Sequence, residues 1–396
     1  MLALLLLDGR APLGVGGVAR EVHELYFRWY GVLAQGGFPV GDPLWQYPPA
    51  AGPVLLAPGL LPGLTYFQGF VALTLAADAV VAYALVRTGR RPGRSLKGAA
   101  LWVGGLPLLL HLPLARYDVQ VTAFAVLALL VLPASLPAGT RAWGSSDPTS
   151  QGTRAWRPIV CGVLTALGTL VKVWPALALL GTPRGRTTRA AWTSALVSAA
   201  ALLLTLTALF AHPFAFLRQQ GGRGIQIESL AGTLLAFARH AGWPGEVRYQ
   251  YGAMEYVGPY VTLLAQASLL LTALACAALL FWRVRAGRWT EATPYDAALC
   301  AVLLFTLTSR VISPQYLIWL LGLAAVCLTS RATTQRPVAV LLLAAAGVST
   351  LVYPVLYEDV MAGTWTGCVV LGVRNALLVG AAVLSWRGLW RSVHAK

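Results

Sequence analysis

The sequence predicts an all-α fold, a polytopic transmembrane bundle of about ten or more helices, and three observations carry that expectation. Of the 396 residues, 57% are hydrophobic and only 11% are charged, roughly half the charged share of a soluble chain. Mean hydropathy is +0.67, and apolar runs recur near the ~20 residues that a helix needs to cross a bilayer. Basic residues gather in alternate loops, the pattern of cytoplasmic connections. Together these exclude a soluble or disordered chain. The net charge of +16 therefore reports sidedness and not nucleic-acid binding.

In chain order, Met1 to Leu7 meets Asp8 too soon to span a membrane, and the sequence is expected to begin inside a truncated first helix. Spans are expected near 64–86, 98–114, 119–137, 190–211, 256–282, 294–308, 317–330, 338–356 and 365–386. The run 159–182 is also apolar, but Lys172 and Pro175 interrupt it and arginines flank both ends. A broken or re-entrant pair fits it, because an ionisable group at membrane depth must face protein or water. The linker-like 138–158 is rich in Ser, Gly, Thr and Pro. One membrane domain, residues 1–396, is the simplest division.

Loops beginning at Arg87, Arg141, Arg184, Arg283, Arg331 and Arg387 hold 19 of the 30 basic residues and are assigned to the cytoplasm. The alternate loops then face outward with ten of the fourteen acids, and their two long members are 8–63 and 212–255. Chemistry is expected on that face. The five cysteines lie in apolar runs without Cys-x-x-Cys or His spacing, which supports neither a metal site nor disulfides.

Residues 20–34 are expected to form an interfacial helix buried through Val22, Leu25, Trp29 and Val32, which carries Glu21 and Glu24 one turn apart. Two alternatives stand for Glu21: a general base for a hydroxyl, or a solvated acid beside a Glu24–Arg28 pair at favourable spacing. In Trp45-Gln46-Tyr47-Pro48-Pro49, the aromatic residues either wall a sugar or lipid pocket or anchor a rigid surface loop. Arg116-Tyr117-Asp118 occupies a short outer turn, as a surface ion pair or a functional charge cluster. Gly221-Gly222-Arg223-Gly224 lacks a P-loop's Gly-Lys-Ser/Thr, but Arg223 is placed to clamp a phosphate, and Ser229 to cap a helix reaching His240. Arg310, before Ser313-Pro314-Gln315-Tyr316, is either a second phosphate ligand or a snorkelling arginine. Lys172 and Arg374 are the membrane-buried charges, each expected to pair with Asp78 or to meet an anionic headgroup.

An acid followed by Tyr26-Phe27-Arg28-Trp29-Tyr30, then Gly36-Gly37-Phe38-Pro39, Trp45 to Pro49, Arg116-Tyr117-Asp118 and Lys172-Val173-Trp174-Pro175 form an ordered series. It continues through Gly222-Arg223-Gly224-x-Gln226-x-Glu228-Ser229-Leu230, Ser313 to Trp319 and Arg374-Asn375. The series, from about Glu21 to Asn375, resembles the polytopic glycosyltransferases of family 87. The resemblance implies a GT-C fold and transfer of a sugar, mannose or another hexose or pentose, from a polyprenyl-phosphate donor. The acceptor is a hydroxyl of a glycolipid or cell-envelope glycan, on the outer face of the plasma membrane and with inversion. The family base is an Asp; by position it corresponds to Glu21, one methylene longer, with Asp42 as the alternative. Arg223, Arg310, Arg116 and Lys172 are the implied phosphate ligands, and Tyr26, Trp45, Tyr47, Asp118, Gln226, Glu228, Gln315 and Tyr316 the implied substrate contacts. No cofactor, metal site or nucleic-acid partner is expected; the partners are the lipid-linked donor, the acceptor and membrane lipid. A glycolipid transporter or flippase, with charges near the midplane, is the competing class, and a non-catalytic membrane subunit is the third.

Overall fold

The computed structural model describes residues 1–10, 17–132, 156–219 and 223–394. Most of the 138–158 linker, and Gly221 and Gly222 of the glycine loop, lie outside the described residues. The principal helices are α1 (Phe27–Leu33), α2 (Tyr66–Gly89), α3 (Lys97–Gly105), α4 (Asp118–Val131), α5 (Trp156–Val171) and α6 (Arg186–Leu209). They continue with α7 (Leu230–His240), α8 (Val261–Arg285), α9 (Thr293–Thr308), α10 (Tyr316–Leu328), α11 (Arg336–Thr350) and α12 (Trp365–His394).

Among the described residues, five helices are long and apolar enough to cross a membrane: α2, α6, α8, α11 with its continuation to Val355, and α12. The expected count of about ten or more spans is not reached on length and apolar composition alone. Helices α4, α5, α9 and α10 hold 14, 16, 16 and 13 residues, about 20–24 Å at 1.5 Å per residue, short of the ~30 Å hydrocarbon core. Of these, α9 and α10 are buried along most of their length, whereas α5 leaves Trp156 and Ile159 exposed. Every residue of α10 from Leu317 to Cys327 is buried, as a helix apolar on all sides requires. By contrast, α6 and α8 present Leu196, Val197, Leu204, Leu263 and Leu270 outward, as lipid-facing helices do. Where α5 meets α6, a Cβ on Gly162 would fall 2.1 Å from the Ala191 carbonyl, so only glycine permits this contact.

Three expectations are corrected. The 98–114 span is α-helical only to Gly105, then passes through tight turns at Leu106–Leu109 and Leu112–Leu114, with Leu110 at φ 56°. Pro107 and Pro113 withdraw the backbone donors that a continuous helix would need. The fold is not purely α: β1 (Ile225–Gln226), β2 (Glu246–Gln250) and β3 (Ala253–Val257) form an antiparallel sheet in the order β1-β3-β2. Ile225 pairs with Tyr256 and Glu246 with Val257, and the hairpin turns at Tyr251–Gly252, both at positive φ. Residue 256 therefore belongs to a strand, and the helix expected from it starts at Val261. The interfacial helix forms, but a π-helical Glu21–Tyr26 segment leads into α1 and rotates the buried stripe to Val22, Tyr26, Trp29 and Leu33. Val32 is consequently exposed. The break expected in 159–182 falls at Lys172, between α5 and a 3₁₀ segment at Trp174–Gly181.

Candidate active site

The segments assigned to the outer face line one cleft of about 1070 Å³. Its walls come from the π segment, the Leu44–Pro48 loop, the turn at Arg116, the break at Lys172, the β1 region with the β2–β3 hairpin, and residues 311–319 and 353–361. The cleft brings together Glu21, Tyr47, Arg116, Lys172, Arg223, Gln226, Glu228, Gln315 and Tyr316. Tyr26, Asp42, Trp45, Asp118 and Arg310 do not line it.

Glu21 accepts from Arg116 at 2.5 Å. Arg116 is itself fixed, because its Nη1 donates to the carbonyls of Val18 (2.9 Å) and Ala115 (2.8 Å). Burial works against the guanidinium charge, and the Glu21 carboxylate more than offsets it, holding Arg116 above its ordinary range. The pair crosses from one outer segment to another; no Arg116–Asp118 surface pair forms. Asp42 takes a different part, accepting from Arg28 Nη2, Trp29 Nε1 and the Leu44 amide, each at 2.9 Å. Those three donors tie the loop to α1. Glu24 pairs with Arg20 at 2.9 Å and not with Arg28, which Asp42 has taken.

Trp29, Trp45 and Tyr47 stack edge to face at ring-centroid distances of 5.1, 5.8 and 6.0 Å, with Tyr26 5.7 Å from Tyr117 beneath them. Trp45 is wholly buried, so it supports the wall that Tyr47 presents. Burial, then the Glu21 charge, keep the Tyr47 phenol protonated. Lys172 projects from the helix break into this aromatic wall, its Nζ 4.7, 5.3 and 5.8 Å from the centroids of Tyr117, Trp319 and Tyr47. Its ammonium donates to Asp118 Oδ1 at 2.6 Å, and Trp319 Nε1 donates to the same oxygen at 2.6 Å. The expected partnership of Lys172 with Asp78 is thus corrected. Asp78 instead accepts from Trp102 Nε1 at 2.7 Å.

Opposite these groups, Arg223 Nη2 donates to the Tyr251 carbonyl at 3.1 Å, and its Nε lies 3.7 Å from Glu255. Gln46 Nε2 reaches the same carbonyl at 3.2 Å, so the hairpin tip joins both long outer segments. Arg310 Nη1 donates to the Arg223 carbonyl at 2.8 Å, and its own carbonyl accepts from the Gln226 amide at 3.1 Å. Arg310 braces the strand from behind. Burial and then the neighbouring Arg223 lower its pKa.

Glu228 follows β1, where Ser229 caps α7 by accepting from the Gly232 amide at 2.9 Å. One carboxylate oxygen accepts from Gln226 Nε2 at 3.2 Å; the other lies 3.4 Å from Arg374 and accepts no hydrogen bond. Arg374 and Asn375 also donate to the Glu228 carbonyl at 2.7 and 3.1 Å. So the second membrane-buried charge is neutralised by Glu228, not by Asp78. Burial raises the Glu228 carboxyl to about 7, against the opposing pull of Arg374 and Gln226.

Sequence reasoning gave no site role to Trp319, which ends the Ser313 to Trp319 motif, or to Tyr251, Tyr353 and Tyr357, all of which line the cleft. Trp319, one helical turn after Tyr316, was legible as a same-face partner; the others depend on distant packing. Among the described residues no cluster of three or more His, Cys, Asp or Glu could hold a metal ion.

In the comparisons with known proteins, residues 45–314 match the family described as Glycosyltransferase family 87. No curated protein matches the chain. Among solved structures it is similar to ArnT from Cupriavidus metallidurans in the apo state, at 14% identity and a TM-score of 0.48, covering 99% of this chain and 76% of that one. The same protein bound to undecaprenyl phosphate gives 14% identity, a TM-score of 0.45 and the same coverage. The family match spans more than half of the sequence, and this multi-pass membrane chain belongs to glycosyltransferase family 87.

Proposed function

We propose that the protein transfers a sugar, mannose or another hexose or pentose, from a polyprenyl phosphate to an acceptor hydroxyl on a glycolipid or cell-envelope glycan. The reaction takes place at the outer face of the plasma membrane, within a single membrane domain of GT-C type. The observation that carries this reading is a carboxylate, Glu21, fixed by Arg116 on the wall of a cleft that also holds Lys172 and Arg223. Glu21 takes the proton of the acceptor hydroxyl as that oxygen attacks the anomeric carbon. The bond from that carbon to the phosphate oxygen breaks on the opposite side, and polyprenyl phosphate leaves with inversion. Lys172 and Arg223 meet the charge that develops on the departing phosphate through charge-assisted hydrogen bonds, while Arg116 aims the base.

Glu21 is favoured over Asp42 because the latter is occupied by three donors and stands behind the cleft-lining residues Arg28, Trp29 and Leu44. Arg310 is a positioning residue that acts through Arg223. In liposomes with labelled polyprenyl-phosphate mannose and a crude lipid acceptor, Glu21→Gln should lower transfer by about 10²–10⁴-fold, the range for loss of a general base. Binding of sugar-free polyprenyl phosphate should be retained. Unchanged turnover in Glu21→Gln, with Asp42→Asn inactive but folded, would move the base to Asp42.

A further inference from the structure

The cleft contains a second carboxylate, Glu228, that proton abstraction does not use. It is buried on the cleft wall, and its Oε2, closed off from solvent 3.4 Å from Arg374, accepts no hydrogen bond. The other oxygen is held by Gln226, whose amide oxygen in turn accepts from the Ile312 amide at 2.9 Å. Arg374 and Asn375 fix the backbone behind it. A carboxylate fixed on the cleft wall offers acceptor lone pairs to a hydroxyl donor. Tyr316, Trp319 and Tyr357 supply apolar ring surface in the same cleft, the complement to the C–H face of a pyranose.

The location selects which sugar is held. Glu228 lies five residues after Arg223 on one continuous backbone, and Arg310 ties the two together by donating to the Arg223 carbonyl and accepting from the Gln226 amide. A sugar joined to a phosphate held at Arg223 therefore extends beside Glu228, while the acceptor approaches from the side of Glu21. We infer that Glu228, oriented by Gln226 and Arg374, holds a ring hydroxyl of the donor sugar and sets the enzyme's selectivity for that sugar. This rests on the proposed polyprenyl-phosphate reaction and adds a specificity-determining residue to it.

The test compares wild type with Glu228→Gln, using the polyprenyl-phosphate sugar that supports the highest turnover and its monodeoxy analogues at each ring position. In wild type, one deoxy donor should lose at least about 30-fold in kcat/KM, because a site built around a hydroxyl leaves a buried polar group unpaired without it. In Glu228→Gln that one ratio should collapse towards unity, with the other deoxy ratios unchanged. The inhibition constant of sugar-free undecaprenyl phosphate should stay within about threefold, which also reports an intact fold. A uniform loss across all donors makes Glu228 only the counter-ion of Arg374 and overturns the inference, as does an effect confined to deoxy acceptors. If wild type turns over no polyprenyl-phosphate sugar, the reaction itself is refuted and the inference falls with it.

Discussion

Glu228 is half of a buried ion pair whose titration can be followed. Burial raises its carboxyl to about 7, above the ordinary value of 4.5, so the folded chain binds this proton more tightly than the unfolded chain. The stability it contributes is full below about pH 4.5 and is lost as pH rises through about 7. Hydroxyl binding has the opposite dependence, because only the ionised form offers acceptors alone. The kcat/KM profile of wild type should therefore rise through about pH 7, and Glu228→Gln should lose that limb while keeping any other. A limb that survives the substitution would assign the titration to another group. The Lys172–Asp118 pair makes a different prediction, because Asp118 does not line the cleft. Asp118→Ala leaves the ammonium buried against Tyr117, Trp319 and Tyr47 without its counter-ion. Breaking a buried pair on one side costs about 3–5 kcal/mol, so its unfolding midpoint in detergent should fall well below that of the double replacement Asp118→Ala with Lys172→Met, which leaves neither charge buried alone.

The element that sets Glu228 is the join between β1 and α7. Ser229 turns the chain into the helix, and Gly232 lets the helix pass under the strand: a Cβ there would lie 2.4 Å from the Gln226 carbonyl and 2.6 Å from that of Ile227. Backbone cannot yield as a side-chain tip can, so Gly232→Ala should displace Gln226 and Glu228 and reduce transfer by tenfold or more, whereas Ser229→Ala should chiefly cost about 1 kcal/mol of stability. Transfer rates and melting curves of the two variants, measured together, separate displacement of the strand from loss of the cap. Helix α7 was legible from sequence to its last residue because its cap and its apolar period are local. Its companion elements were not. The partner of Ile225 is Tyr256, a pairing that no local pattern announces, and the tight turn Tyr251–Gly252 places φ > 0 on a tyrosine, a residue that is not a turn signal. The stripe of the first outer helix was misplaced for a comparable reason: a π-helical turn shifts the angular phase of every residue after it. Glu21, Arg116, Lys172 and Arg223 stood out as charges in an apolar chain, but their true partners could not be read from spacing, since Arg116–Glu21, Lys172–Asp118 and Arg374–Glu228 all join segments far apart in the sequence.

At the scale of the whole molecule, the proposed topology puts the excess positive charge and the cleft on opposite sides of the membrane. Among the described residues, the arginine-rich loops contribute none to the cleft wall, whereas Glu21, Lys172, Arg223 and Glu228 meet on it. The break at Lys172, between α5 and the 3₁₀ segment Trp174–Gly181, delivers one ammonium to the cleft wall. If alternate loops are sided as the arginine count requires, the cleft opens away from the cytoplasm. Two exposed positions test this, Glu246 on β2 and Gly287 in the loop after α8. In a background with the five native cysteines replaced, Glu246→Cys in intact cells should react with a membrane-impermeant maleimide. Gly287→Cys should react only after permeabilisation. The reverse pattern would put the cleft on the cytoplasmic side, where the donor would have to be presented from the inner leaflet, and the proposed outward reaction would be wrong even if Glu21 remained the base. Equal labelling of both sites in intact cells would mean two orientations in the membrane. The basic residues from Arg283 to Arg288 oppose that outcome, because a short loop rich in arginine is retained on the cytoplasmic side.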